Sequence, residues 1–320
     1  MKNALVYLVI SAASYPFLAI YNSCAALFRS MGNSKISMQV SVVMNGINIF
    51  GDAVIFGFHM GVAGAAFASL ISRMIACVIL MVRLFDPKLE ITLKGTKFGW
   101  NQRIVGRILQ IGIPSGVENS IFQLGRVIGV GFITMFGTTQ IAANAVANNL
   151  DALGILPAQA MNLALITVIG QCVGAGDYKQ AEYYAKKLMK LTYLINGVCC
   201  MTVIATMPLT LKLYGLSAET LVLAATLVLI HNGFAVLLWP ASFTLTSVLR
   251  AANDVKYPMC ISMLSMILVR LGFGYMLCVG QGWGALGVWA ATILDWTVRV
   301  ICFVRRYRSG KWKQYYRADA

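Results

Sequence analysis

Asn45, Asn48 and Asp52, in the run MNGINIFGDAV, stand three and four residues apart, so a helix carries them on one face. Their neighbours are apolar. A carboxylate deprived of water holds a proton more readily, which suits it to binding and releasing a proton or a small cation. Ser69, on the helix that follows, could join them, and a helix–helix hydrogen bond is the simpler use of the same groups. Glu118, in IPSGVENSIF, is a second isolated acid within an oily run, four residues after Pro114. It is a candidate cation or proton site, or else a hydrogen-bonded helix residue. Asn144, Asn148 and Asp151 form a polar stripe that could line a wet cavity.

Two arginines complete the set. Arg126 lies about as far before a turn near Thr138 as Asp151 lies after it, and Arg270 and Asp295 stand likewise about Gly282. In antiparallel helices rising about 1.5 Å per residue, each pair reaches equal depth. Structural ion pairs Arg126–Asp151 and Arg270–Asp295 are therefore expected. His59 and His231 are far apart, and the eight cysteines fall in apolar runs without CxxC spacing, so no metal or cofactor is expected. No HExxH, nucleophile elbow or paired catalytic carboxylates on one helix occurs, which argues against an enzyme.

The elements that position these residues follow from composition. Hydrophobic residues make up 59% of the chain and charged ones only 12%, with a mean hydropathy of +0.74. Soluble domains sit nearer half apolar and a quarter charged, so the solvent for most of this chain is lipid. A hydrocarbon core of about 30 Å takes roughly 20 apolar residues per helix. Gly, Pro and charge clusters divide the sequence into nine such spans, near 4–28, 36–58, 62–84, 104–136, 140–173, 180–212, 218–250, 257–279 and 284–305. Pro114, Pro157, Pro208 and Pro240 are expected to kink or end helices. The fold class is all-α, a polytopic membrane protein.

The net charge of +15 does not read as a nucleic-acid footprint, because Lys and Arg gather at every second helix junction and in the tail RRYRSGKWKQYYR. That alternation places the C-terminus in the cytoplasm and the N-terminus outside. The apolar start runs too far, and lacks a small-residue cleavage site, for a signal peptide. Segment 86–102 reads as a cytoplasmic linker, with Phe98 and Trp100 at the interface, between a three-helix part (1–85) and a six-helix part (103–308). A basic tail (309–320) follows. Asp177 and Gln180, after GQCVGAG, have capping-box spacing.

One stretch is written twice. LFRSMGNSKISM, 27–38, and VLRAANDVKYPM, 248–259, each set an Arg six residues before a Lys, with a Met three residues later. One helix further on come GVAGAAFAS, 61–69, and GALGVWAAT, 284–292. Spans one to three thus resemble spans seven to nine, an internal repeat of the kind that builds sites between bundles in transporters.

With TTQIAANAVANN from Thr138 and GQCVGAGD, these features make the chain similar to the multidrug and toxic compound extrusion (MATE) family. The resemblance implies two pseudo-symmetric helical bundles. The chain has no counterpart of the family's first three helices, so the N-lobe is incomplete and the C-lobe complete. It further implies alternating-access export of amphipathic organic cations in exchange for H+ or Na+. The partners would be a small organic cation and the lipid bilayer, the place a bacterial inner membrane, and the state a monomer if full length. One branch of the family uses an Asn, an Asp four residues later and a Thr in an N-lobe ion site; Asn48, Asp52 and Ser69 match it, with Ser in place of Thr. A lipid-linked oligosaccharide flippase of the same superfamily, which would need a cationic cavity, and an inactive truncated fragment are the alternatives.

Overall fold

The computed structural model describes residues 2–57, 61–95 and 99–314. Among them every regular element is helical. Six continuous helices come first: α1 (Lys2–Ser30), α2 (Ser34–Gly57), α3 (Gly61–Leu84), α4 (Gln102–Thr134), α5 (Thr138–Gly174) and α6 (Tyr178–Leu213). Two compound rods and a seventh continuous helix follow. α7 (Ala218–Trp239) passes through a π-helical turn, Pro240–Thr244, into α8 (Leu245–Ala251). α9 (Lys256–Leu264) continues as π-helical segments Ser265–Phe273 and Met276–Gly280, and α10 (Ala285–Arg308) ends the bundle.

These rods match the nine expected spans. Seven of them are long and apolar enough to cross a membrane. The other two described rods, α2 and α4, carry Asn45, Asn48 and Asp52, and Glu118 and Arg126. Large apolar side chains such as Ile49, Val127, Leu194 and Leu237 point outward, as lipid contact requires. Of the four prolines expected to kink or end helices, none of the first three ends one. Pro114, Pro157 and Pro208 lie inside continuous helices, where neighbouring groups in lipid can satisfy the freed carbonyl. Only Pro240 changes the helix type: it cannot donate to the preceding turn, and the backbone widens into the π turn.

The chain divides into two compact units, residues 1–100 and 101–320. In the first, α3 packs across both α1 and α2, which touch each other little. Phe28, Ala76, Leu80 and Leu84 are among its most buried apolar side chains. Gly51 of α2 faces Ala68 so closely that a Cβ there would lie 2.9 Å from the alanine Cβ. Residues after α3 fold back on it, since Leu93 N–H and Thr92 Oγ1 both donate to the Leu84 carbonyl at 2.9 and 3.0 Å. In the second unit, α5, α6 and α7 form one packed group, and α10 crosses both the α7–α8 rod and the rod that begins with α9. α10 thus holds the place among its partners that α3 holds among its own.

The duplicated loops share their hydrogen bonds. After α1, the N–H groups of Met31, Gly32 and Asn33 donate to Leu27, Arg29 and Phe28; after α8, those of Ala252, Asn253 and Asp254 donate to Val248, Arg250 and Leu249. Gly32 and Asn253, at equivalent positions, both take left-handed backbone, with φ of 75° and 65°. This is the Schellman closure, and Gly and Asn are the residues that adopt it with least strain. The repeat in sequence is a repeat in backbone geometry. In the second copy the loop is also tied to α10, because buried Asp254 accepts from Arg306 Nε at 2.8 Å and Nη2 at 3.3 Å.

Small residues set the close approaches. A Cβ at Gly287 would lie 2.6 Å from the Cys278 amide nitrogen and 2.7 Å from the Leu277 carbonyl carbon, atoms of one backbone stretch with no flexible side-chain end to yield. Gly287→Val is therefore expected to destabilise the fold by about 1–3 kcal/mol. Gly131→Val, at a helical site with open space around it, should change it little. Thermal unfolding of the two variants in detergent checks this contrast.

Candidate functional site

In the first unit α2 and α3 bring Asn48 and Ser69 together: Asn48 Nδ2 donates to Ser69 Oγ at 3.1 Å. Asp52 lies one turn further along α2 and is exposed, as is Asn45. Among the described residues the Asp52 carboxylate makes no hydrogen bond or ion pair. Asn48 and Ser69 therefore hold each other, and the Asp52 carboxylate stands beside them outside that bond. His59 lies outside the described residues.

In the second unit Glu118, Asp151 and Asp295 are each engaged. Glu118 of α4 accepts from Arg250 Nη2 of α8 at 2.5 Å, with the Glu118 side chain 12% exposed and Arg250 27%. The Arg of the duplicated loop thus has a bracing role here, holding α4 to the end of α8. Asp151 is bonded to Nδ1 of His231, and both are buried. The imidazole is packed between Trp289 and Trp296, ring centres 4.7 and 4.6 Å away. Asp295 accepts from Arg299 Nε at 3.1 Å, four residues along α10, and from the Ser265 hydroxyl.

The ion pairs expected from equal depth are therefore not the ones formed. Asp151 takes His231 rather than Arg126, and Asp295 takes Arg299 rather than Arg270. Depth fixes position along the axis but not the angle around it. For Asp295 a guanidinium one turn away on its own helix is nearer, and Arg270 sits in a π-helical segment whose angular phase differs from that of an α-helix.

Arg126 and Arg270 instead line a cavity of about 100 Å³ together with Asn144, Asn148, His231 and Trp289. Asn144 Oδ1 accepts from Trp289 Nε1 at 2.9 Å, and Asn148 Nδ2 donates to the Asn144 carbonyl and side chain at 2.7 and 3.1 Å. One turn earlier on the same face of α5, Gln140 Oε1 accepts from Ala285 N–H at 2.9 Å and caps α10. The polar stripe of α5 thus does two things: Asn144 and Asn148 face the cavity, and Asp151 lies behind it on the histidine. Sequence reasoning weighed His231 only as a metal ligand. Its separation from Asp151 by 80 residues gave no local spacing to reveal the pair, and the same holds for Glu118 and Arg250. No group of three or more metal-ligating side chains occurs among the described residues.

The MatE family model matches residues 114–276, just over half of the chain. The chain belongs to the MatE family. Its members are membrane transporters and not enzymes. The uncharacterized transporter YisQ of Bacillus subtilis is 29% identical over 98% of this chain and 70% of its own length. The probable multidrug resistance protein NorM of Thermotoga maritima is 24% identical over 98% of this chain and 68% of its own length. The chain thus spans about two thirds of these relatives. A solved structure described as the outward-facing conformation of a multidrug resistance MATE family transporter of the MOP superfamily superposes with a TM-score of 0.86 at 21% identity, over 97% of this chain and 70% of that one. Fold and family agree: this is an all-α multi-pass membrane protein of MatE type.

Removing one partner of a desolvated ion pair leaves the other charge uncompensated, which costs about 3–5 kcal/mol. Arg250 keeps some exposure, so Glu118→Ala is expected at the lower end of that range. Glu118→Gln, which retains an acceptor for the guanidinium, should lose less. Comparing unfolding midpoints of the two purified variants tests the bracing role, and an unchanged midpoint in Glu118→Ala would exclude it.

Proposed function

We propose that this MatE protein exports amphipathic organic cations in exchange for H+ or Na+ by alternating access, and that Asp52 is the coupling group. The observation that carries the reading is the arrangement on α2: an unengaged carboxylate one turn from the Asn48–Ser69 bond, on a helix otherwise surrounded by apolar residues. Asp52 lies within α2, five residues before the helix ends at Gly57, and an ionisable residue on a membrane helix is a functional candidate by default. Neutralising it, with a proton or a sodium ion, changes which packing of the neighbouring helices is favoured. The size of that shift is bounded by the difference in ion affinity between the two packings. The names of the relatives, multidrug resistance proteins among them, support the substrate class. The alternation of Lys and Arg supports an inner-membrane orientation with the C-terminus in the cytoplasm and the N-terminus outside.

Glu118 is the weaker coupling candidate, because Arg250 already compensates its charge. A second reading, flipping of a lipid-linked oligosaccharide, calls for a cationic cavity, and the pocket lined by Arg126 and Arg270 favours it. Export is placed first because an unpaired acid such as Asp52 has an evident part in ion coupling and none in holding an anionic lipid.

The test is dye efflux from cells or vesicles carrying the chain, with the pH gradient and the sodium gradient collapsed in turn. Asp52→Asn should abolish ion-driven efflux while membrane expression stays normal. Undiminished dye export by that variant would remove Asp52 from the mechanism. Loss of efflux on collapsing one gradient alone identifies the ion.

A further inference from the structure

The charges around Arg270 do not balance. Within electrostatic reach of it lie Arg126, Arg299, Asp151 and Asp295. Three guanidiniums, permanently charged, therefore face two carboxylates, and each carboxylate is already held: Asp295 by Arg299 and Ser265, Asp151 by His231. Arg126 and Arg270 are left without an ion-pair or hydrogen-bond partner among the described residues. A surplus positive charge in a helical bundle within lipid is unfavourable, and membrane arginines are ordinarily paired.

The two arginines line one cavity, and among the described residues that line it there is no carboxylate. Its other polar walls are Asn144, Asn148, His231 and Thr292. Arg270 is not loose: its guanidinium lies 5.4 Å from the centre of the Phe122 ring, which also supports Arg299 at 5.4 Å. Arg126 is exposed at the cavity's rim. The planar guanidinium fork matches the oxygen geometry of carboxylate and phosphate and is hydrogen-bonded by them in pairs. The volume of about 100 Å³ admits one such group with some water. Trp289 forms an apolar wall beside it.

We propose that this cavity is a binding site for an anionic oxygen group, a carboxylate or phosphate, held between Arg126 and Arg270. A cation would meet two unshielded guanidiniums there, so the site is distinct in chemistry from Asp52 and does not depend on the export reading. The group can come from a free anion or from the acidic end of an amphipathic ligand.

Three probes at fixed ionic strength test it on the purified full chain in detergent: inorganic phosphate, benzoate, and benzylammonium as the size-matched cation. Benzoate, phosphate or both should raise the unfolding midpoint by several degrees, and benzylammonium should not. Protection by phosphate as strong as by benzoate identifies a free anion; protection by benzoate alone identifies the acidic end of an amphipathic ligand. Arg126→Gln and Arg270→Gln should each weaken the effect about tenfold, and Arg126→Lys should retain part of it. Lys212→Gln, outside the cavity, should leave it unchanged. Should the glutamine variants not fold, phenylglyoxal labelling of the unaltered protein decides. Benzoate or phosphate must then slow modification of Arg126 and Arg270 relative to Arg103 and Arg107. Equal protection by benzylammonium, anion protection that persists in the double glutamine variant, or no selective shielding of the two arginines overturns the site. None of these outcomes alters what Asp52→Asn does to dye efflux, so the two readings fail separately.

Discussion

Polar groups placed in lipid must find their partners inside the protein, because no water is there to replace them. That constraint organises the second unit. Glu118 takes Arg250, Asp151 takes His231, Asp295 takes Arg299 and Ser265, and Asp254 takes Arg306. Each of these bonds except Asp295–Arg299 joins separate elements. The ion pairs therefore act as fasteners as well as charge compensation: α4 to α8, α5 to α7, and the loop after α8 to α10. A bundle whose greasy faces would slide past one another is pinned at specific angles. Packing in lipid offers no strong hydrophobic drive between helices, so directional contacts and close backbone approach, such as Gly287 against Cys278, carry more of the specificity.

Against that background the exceptions carry information. Asp52 on α2, and Arg126 and Arg270 around the cavity, are charged groups that the described residues do not compensate. They have opposite sign and lie in different units. A transporter has to bind ligands reversibly in its interior, and a side chain already satisfied by the protein has little to offer a ligand. The division between engaged and unengaged charges therefore sets the bracing residues apart from the proposed binding residues more cleanly than residue type does. Glu118 and Asp52 are both membrane acids; Arg250 distinguishes them.

Much of the architecture was legible because its signals are local. Apolar run lengths gave the rods, with ends close to those observed. Asp177 accepts from Gln180 N–H at 2.9 Å, as its capping spacing required. The duplicated Arg–Lys stretch encodes the same Schellman loop twice, down to the left-handed residue at Gly32 and Asn253. Asn48 and Ser69 form a helix–helix hydrogen bond, the simpler use that their types and spacing allow. What could not be read was angular. Arg126 and Asp151, or Arg270 and Asp295, stand at matched depths, yet helical rotation sends them to different neighbours. The π-helical segments from Ser265 to Gly280 add a phase change that apolar periodicity does not record.

His231 shows where such reasoning falls short and why. A lone histidine in an apolar run has no spacing that names its partner, and Asp151 lies 80 residues away. The two come together only because α5 and α7 pack side by side while α10 contributes Trp289 and Trp296 around the ring. In that bond Asp151 keeps its charge and still acts on Arg270 from a distance, but it is absent from the cavity lining. The charged side chains on the wall are therefore Arg126 and Arg270, and no carboxylate oxygen stands beside them to occupy their donors.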